Sequence, residues 1–169
     1  MGKGWGVLVI GIGNPDRGDD AAGCVVAGML RDRNVPAVEH SGEATALLAA
    51  LRGAERAWLI DAAQSGAPSG TIHRIDLATA DAPLSRGSVS SHGFGVAEAI
   101  ALACALGELP PHCIVYAIEA ASFTAGAGLS PAVAQAAQEV AARILAELAT
   151  PQPPSARRLP HPAPATDRR

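Results

Sequence analysis

Short runs of apolar residues recur along the chain and alternate with longer segments whose apolar positions fall three and four residues apart. The first run, GVLVIGIG at residues 6–13, contains no polar side chain, which is typical of a strand buried on both faces. Further strands are predicted at residues 37–40, 56–63, 70–76 and 112–120. Because the 70–76 segment, GTIHRID, has no clean apolar face, we expect it to form an edge strand.

Helices are predicted between these strands, at residues 19–33, 43–53, 90–107 and 130–148. The first begins with Asp19 and Asp20, where the helix dipole favours negative charge, and we expect one of the two to cap it. The last has Ser130 at its N-cap and Pro131 at its first helical position. Residues 77–90 have no clear periodicity and are predicted to form a loop.

The alternation of strands and helices indicates an α/β fold in layers, with a largely parallel sheet of about five strands. A chain of 169 residues is long enough for one domain with a substantial core, which we assign to residues 1–150. Residues 151–169 contain six prolines and almost nothing to bury. We therefore predict a disordered or extended Pro/Arg-rich tail there.

Charge and composition exclude several classes of protein. The tail carries four Arg and one Asp, which leaves nine basic and fifteen acidic residues in 1–150 and argues against nucleic-acid binding. No apolar run is long enough to cross a bilayer and no signal peptide is evident, so the cytoplasm is the expected location. Three cysteines, Cys24, Cys104 and Cys113, are an odd number and widely spaced; we expect buried, inert thiols.

Acidic and imidazole side chains follow several of the predicted strands. Asp19 and Asp20 come after the first strand, Asp61 ends the third, and His92 opens the helix after the long loop. Because the carboxyl ends of parallel strands open onto one edge of a sheet, these groups are expected to lie together there. Clustered carboxylates repel each other, and a bound metal is one way to stabilise them; two oxygens and one nitrogen suit Zn, Ni, Mn or Fe.

Simpler interpretations stay open for each of these residues. Asp19 or Asp20 would cap a helix, Asp61 would accept hydrogen bonds from loop amides, and His92 would be an ordinary residue at a helix start. A nucleotide-binding loop is excluded at GIGNPDRGDD, because the glycine spacing fits no dinucleotide fingerprint and the Lys-Ser/Thr of a Walker loop is missing. The sequence also has no Gly-x-Ser-x-Gly elbow for a serine nucleophile.

Four sequence blocks follow one another between residue 7 and about residue 146. They are VLVIGIGNPDRGDDAAG, IDAAQSGAPSGTI, SSHGFGVAEAIALACALGELP and VYAIEA…GAGLSPAV. In content and order these blocks resemble the maturation endopeptidases of nickel-iron hydrogenases. The resemblance implies a three-layer fold, with a twisted, mostly parallel sheet between helices. It also implies an endopeptidase that removes a C-terminal extension from the hydrogenase large-subunit precursor after nickel has been inserted.

The resemblance assigns both the catalytic and the metal-binding roles to Asp20, Asp61 and His92. Nickel is then expected to arrive with the precursor, and no organic cofactor, nucleic acid or membrane is implied; the protein is expected to act as a monomer. The metal would polarise the scissile carbonyl or lower the pKa of an attacking water, and Asp20 or Asp61 would alternatively be the general base. Relatives often have Glu at the position of Asp20. They also carry an acid after the second strand, for which Glu43 either substitutes or merely starts a helix.

Two other classes of function are compatible with the sequence. One is a non-proteolytic metallochaperone or scaffold that binds the hydrogenase precursor without cutting it. The other is an unrelated metal-dependent hydrolase, since layered α/β folds host many chemistries.

Overall fold

The computed structural model describes residues 6–79 and 95–150, and it contains all five predicted strands. The strands are β1 Val7–Ile12, β2 Ala37–His40, β3 Arg56–Ala63, β4 Ile72–Asp76 and β5 His112–Glu119. The helices are α1 Ala22–Arg31, α2 Ala44–Leu51, α3 Gly95–Leu106 and α4 Pro131–Ala149, with a 3-10 helix, Gly18–Ala21, before α1. The predicted tail and most of the predicted 77–90 loop lie outside the described residues.

The five strands form one sheet in the order β2-β1-β3-β5-β4. All neighbouring pairs are parallel except β4 with β5, so the predicted edge strand is confirmed and runs antiparallel. The strands β1, β2, β3 and β5 therefore end at the same side of the sheet, which we call the carboxyl edge. At that edge Ile12 lies opposite His40, and Asp61 lies opposite Ala117.

Helices cover both faces of the sheet and produce two separate apolar cores. The α2–α3 face is filled mainly by aliphatic side chains, including Leu47, Leu51 and Ile100, packed against inward-facing residues of the strands. The α1–α4 face contains the larger side chains Trp58 and Tyr116. This is the three-layer α/β arrangement expected from the sequence. Among the described helices, none is both long and apolar enough to cross a membrane.

The start of α1 lies directly against the ends of β1 and β3. A Cβ atom on Gly23 would lie 2.4 Å from the carbonyl oxygens of both Ile12 and Ile60. A Cβ on Gly11 would lie 2.0 Å from the carbonyl oxygen of Gly23. Glycine at both positions therefore permits an approach of helix and sheet that no side chain would allow, and it brings the turn before α1 to the end of β3.

The prediction that all three thiols are buried is wrong for Cys104, which is exposed on α3. This helix faces the core through Val96, Ile100 and Ala103, and Cys104 falls outside that stripe. Cys24 and Cys113 are buried as expected, and burial raises the pKa of Cys24 to about 11 and that of Cys113 to about 12. Both thiols are therefore protonated at neutral pH.

Candidate active site

Two of the predicted site residues, Asp20 and Asp61, lie at the carboxyl edge and are almost fully buried, with 1% and 0% of their surface exposed. Asp20 belongs to the 3-10 helix that follows β1, and Asp61 is near the end of β3. Gly23 connects the two regions, because it contacts the carbonyl of Ile60, the residue before Asp61. Burial raises the pKa of the Cys24 thiol, and the negative charges of Glu39, Asp20 and Asp61 raise it further.

The turn between β1 and the 3-10 helix is built around Asp20. The backbone N–H of Asn14 donates a hydrogen bond to Asp20 Oδ2 at 3.2 Å. Gly13 has a φ of 144°, and a Cβ on it would lie 1.8 Å from the carbonyl oxygen of Asp20, so this position requires glycine. The side-chain oxygen of Asn14 accepts a hydrogen bond from Asp16 N at 2.9 Å, the arrangement of a turn-forming Asn.

Asp61 lies on the α2–α3 face of the sheet. Its neighbours two positions away, Leu59 and Ala63, belong to the core on that face, and side chains alternate along a strand. Asp61 Oδ1 accepts a hydrogen bond from the backbone N–H of Ala62 at 2.8 Å. The register that pairs Asp61 with Ala117 puts a small side chain beside it on β5.

Asp19 has a structural environment that its position in the sequence does not suggest. Its Oδ1 accepts a hydrogen bond from Ser130 N at 2.6 Å. Its Oδ2 accepts from Ala121 N at 2.8 Å, Ser122 N at 3.0 Å and Ser130 Oγ at 3.0 Å. Burial opposes ionisation of this carboxyl, but these hydrogen bonds outweigh it and lower its pKa below the ordinary value. Asp19 therefore ties the turn after β1 to the connection between β5 and α4.

The expectation that Asp19 or Asp20 caps the first helix is wrong. The N-cap positions are Arg17 for the 3-10 helix and Ala21 for α1, and neither has a side-chain capping hydrogen bond. The N–H groups bound by Asp19 come from a distant loop instead. Ser130 is the N-cap residue of α4, with Pro131 next to it, as predicted, although its hydroxyl donates to Asp19 rather than capping the helix.

Glu119 is a fourth buried acid at the carboxyl edge, and sequence reasoning missed it. It ends β5, and 2% of its surface is exposed. Its Oε1 accepts hydrogen bonds from Ser65 N at 2.6 Å and Gly66 N at 2.9 Å, and its Oε2 accepts from Ser65 Oγ at 2.9 Å. His73 Nε2 lies 3.5 Å from Oε2. Burial raises the pKa of Glu119, but the hydrogen bonds from Ser65 and Gly66 and the contact with His73 prevail and lower it.

A signal for Glu119 was present in the sequence. HCIVYAIEA is an apolar run ending in an acid, the same pattern that identified Asp61 in RAWLIDAA. The sheet register shows the same similarity. Glu119 on β5 pairs with Ala63 on β3, and Ala63 lies two residues after Asp61.

The other two residues singled out from the sequence have different outcomes. His92 lies outside the described residues. Glu43 is the exposed N-cap of α2, and its carboxylate accepts hydrogen bonds from Thr45 N at 2.9 Å and Ala46 N at 2.8 Å. These two backbone hydrogen bonds lower its pKa. Of the two alternatives for Glu43, the structure therefore supports the start of a helix.

The predicted metal-ligand set is only partly contained in the residues that the structure describes. In residues 6–79 and 95–150, no group of three or more His, Cys, Asp and Glu side chains is arranged to hold a metal ion. The predicted set has two members in these ranges, Asp20 and Asp61. The carboxylate oxygens of this pair are ligands that divalent metals accept.

Comparison with known proteins finds similarity to proteins of hydrogenase maturation. A family model described as hydrogenase maturation protease, HycI, matches residues 29–147, a range that begins after Asp20 and contains Asp61 and the position of His92. The hydrogenase expression/formation protein HupD of Thiocapsa roseopersicina is 28% identical over 118 residues. This match covers 67% of the chain and 53% of HupD, so the chain spans about half the length of this curated relative.

Solved structures resemble the fold along most of the chain. The nickel-iron hydrogenase maturation protease HybD of Thermococcus kodakarensis superposes with a TM-score of 0.69 at 24% identity, covering 85% of this chain and 99% of HybD. The hydrogenase maturating endopeptidase HybD of E. coli gives a TM-score of 0.65 at 22% identity, covering 84% of this chain and 91% of that one. At these identities the likeness concerns the fold.

Proposed function

Because the chain belongs to the hydrogenase maturation protease family, we propose that it is an endopeptidase that removes a C-terminal extension from a nickel-iron hydrogenase large-subunit precursor. The observation that carries this proposal is the pair of buried carboxylates, Asp20 and Asp61, at the carboxyl edge of the sheet. This edge is where open α/β sheets bind their ligands. Membership of the family supports peptidase activity, and the choice of substrate is part of the proposal.

In this proposal Asp20, Asp61 and His92 carry both the catalytic and the metal-binding roles. The two carboxylates fit a divalent cation by their chemistry, because both are buried oxygen ligands at the carboxyl edge, Asp20 in the 3-10 helix after β1 and Asp61 near the end of β3. A cation there would polarise a carbonyl or acidify a bound water. The task of Asp20 and Asp61 is to orient the peptide and the attacking water, and one of them accepts the proton of that water.

Nickel is proposed to be part of the substrate, carried into the site by the precursor. A precursor without nickel would then fail to bring the scissile peptide into position between Asp20 and Asp61. This dependence would restrict cleavage to precursors that have received their metal.

The test follows the intact mass of a candidate precursor, with and without nickel loaded, after incubation with the protein. Nickel-dependent loss of a C-terminal peptide is expected with the wild-type chain. Asp61→Asn should prevent it, because Asn keeps the acceptor for Ala62 N but removes the charge. Glu43→Gln is the matched control, since it neutralises an exposed carboxylate that only caps a helix.

Two outcomes would contradict the endopeptidase proposal. Stable binding of the precursor with no change in its mass would indicate a metallochaperone or scaffold. Turnover of small amides in the absence of any hydrogenase precursor, with the precursor left uncut, would indicate a different hydrolase on this fold.

A further inference from the structure

Two buried carboxylates flank the candidate catalytic pair without belonging to it. Asp19 precedes Asp20 in the chain, and Glu119 lies on β5 two residues beyond the partner of Asp61. Each accepts hydrogen bonds from backbone N–H groups and a serine hydroxyl of a loop far away in sequence. Both carboxylates therefore join segments of the chain that local structure alone would leave apart.

The connection between β5 and α4, residues 119–130, is common to both carboxylates. Its residues 121, 122 and 130 bind the turn that carries Asp20. They do so through the four hydrogen bonds accepted by Asp19 and a bond from Asp19 N to Ser122 O at 2.9 Å. The same turn receives further support where Gly126 N donates to Asp16 O at 2.8 Å.

The first residues of the connection, Glu119 and Ala120, bind the end of the strand that carries Asp61. Ala120 N donates to Ala63 O at 2.9 Å, directly after the last pair of the β3–β5 ladder. The carboxylate of Glu119 then holds the next loop through Ser65 and Gly66, at 2.6–2.9 Å. One connection therefore fixes both the turn that carries Asp20 and the end of the strand that carries Asp61, with a buried carboxylate at each attachment.

We propose that Asp19 and Glu119 are positioning residues, which set the separation of the Asp20 and Asp61 carboxylates through the 119–130 connection. Neither needs to contact the precursor. Their effect arises because a buried carboxylate that accepts three or four hydrogen bonds holds its donors in place, and because catalysis requires reacting groups held in one geometry. The inference rests on the proposed function, since the separation matters only if the pair acts on a substrate.

Glu147 provides a matched control within the same chain. Its carboxylate also accepts three strong hydrogen bonds, from Trp58 Nε1 at 2.7 Å, Tyr116 Oη at 2.7 Å and Arg74 Nε at 2.8 Å. It lies near the end of α4, and Arg56, at the start of β3 and so at the opposite edge of the sheet, donates a hydrogen bond to its backbone carbonyl at 3.0 Å. Neutralising Glu147 therefore disrupts a comparable network without touching the 119–130 connection.

The experiment compares Asp19→Asn, Glu119→Gln and Glu147→Gln by Tm and by kcat and KM for cleavage of a nickel-loaded precursor. Each change removes the negative charge from its network, and in Asp19→Asn and Glu147→Gln the new NH₂ group faces an N–H donor whichever way the carboxamide is turned. We expect Asp19→Asn and Glu119→Gln to lower kcat by about 100-fold with little change in KM, since about 1 Å of misplacement has such an effect. Glu147→Gln should retain the kcat of the wild-type chain even where its Tm falls as much as that of the other two variants.

Milder variants keep the test decisive if a carboxamide variant does not fold. Ser130→Ala and Ser65→Ala each remove one hydroxyl donor, to Asp19 and to Glu119, and should lower kcat more than Glu147→Gln does. If the variants at the connection lose no more kcat than Glu147→Gln at matched Tm, the positioning role is refuted. If the wild-type chain leaves the precursor uncut, the proposed function itself is refuted, which is a distinguishable result.

Discussion

Gly23→Ala tests how closely α1 must approach the sheet. The added Cβ would lie 2.4 Å from the carbonyl oxygens of Ile12 and Ile60, and both are backbone atoms that cannot rotate away. Since contact distances begin near ~3.4 Å, the start of α1 must move by about 1 Å. Overpacking of this kind costs about 1–3 kcal/mol, and the better helix propensity of Ala offsets up to about 1 kcal/mol.

The net expectation for Gly23→Ala is a loss of about 1–2 kcal/mol in the free energy of unfolding, or about 2–8 °C in Tm. The same movement would displace Asp20 relative to Asp61, so cleavage of the precursor should slow by about 100-fold. Urea denaturation monitored by circular dichroism gives the free energy of unfolding. The mass of the precursor over time gives the cleavage rate.

Gly28→Ala is the matched control in the same helix. Its Cβ would meet only Arg31 Nη2 at 3.8 Å, which is an ordinary contact. Alanine there should raise stability by about 0.5–1 kcal/mol and leave cleavage unchanged. If Gly23→Ala is as stable and active as Gly28→Ala, the close approach of α1 to β1 and β3 does not require glycine at position 23, and the prediction is refuted.

Three further predictions address the site, the response to pH and the thiols. His92→Ala should abolish cleavage of the precursor with little change in Tm, and normal loss of the C-terminal peptide would remove His92 from the proposed site. Burial raises the pKa of Glu147, but hydrogen bonds from basic and aromatic side chains prevail and lower it below 4.5. The unfolded chain therefore binds this proton more readily, so the stabilisation from Glu147 is present above pH 4.5 and disappears as the pH falls through its folded value. Urea denaturation between neutral and acid pH should show a shallower acid loss for Glu147→Gln, and identical slopes would contradict it. Iodoacetamide at neutral pH should add one label, at Cys104, because Cys24 and Cys113 are buried and protonated; three rapid labels would contradict the described burial.

The strands and helices were predictable because each follows from a local pattern. The segments GVLVIGIG and AWLI, the apolar part of β3 before Asp61, are buried on both faces of the sheet, and that environment favours an uninterrupted run of apolar side chains. The position of Asp61 at the carboxyl edge was predictable, because it follows directly on the apolar residues of its strand, and a buried carboxylate there is costly unless it binds a partner.

Long-range hydrogen bonding could not be predicted from one sequence. Asp19 or Asp20 was expected to cap a helix because caps lie within a few residues, whereas the donors to Asp19 are 102 to 111 residues away. Glu119 was missed for a related reason, since its carboxylate binds a loop more than 50 residues earlier. The exposure of Cys104 depends on which stripe of α3 faces the core, and an almost uniformly apolar helix does not reveal it.

The order in which the strands enter the sheet has a consequence for how the protein folds. β4 is made before β5, yet β5 is its only partner in the described sheet, so the loop between β3 and β4 has no fixed position until β5 has been added. The hydrogen bonds between Asp19 and Ser130 form even later, because Ser130 lies 111 residues further along the chain. Contacts between residues so distant in sequence form slowly. On a ribosome, the candidate acids Asp20 and Asp61 would therefore acquire their final separation only after most of the domain had emerged, and an incompletely synthesised chain would contain both acids without their final geometry.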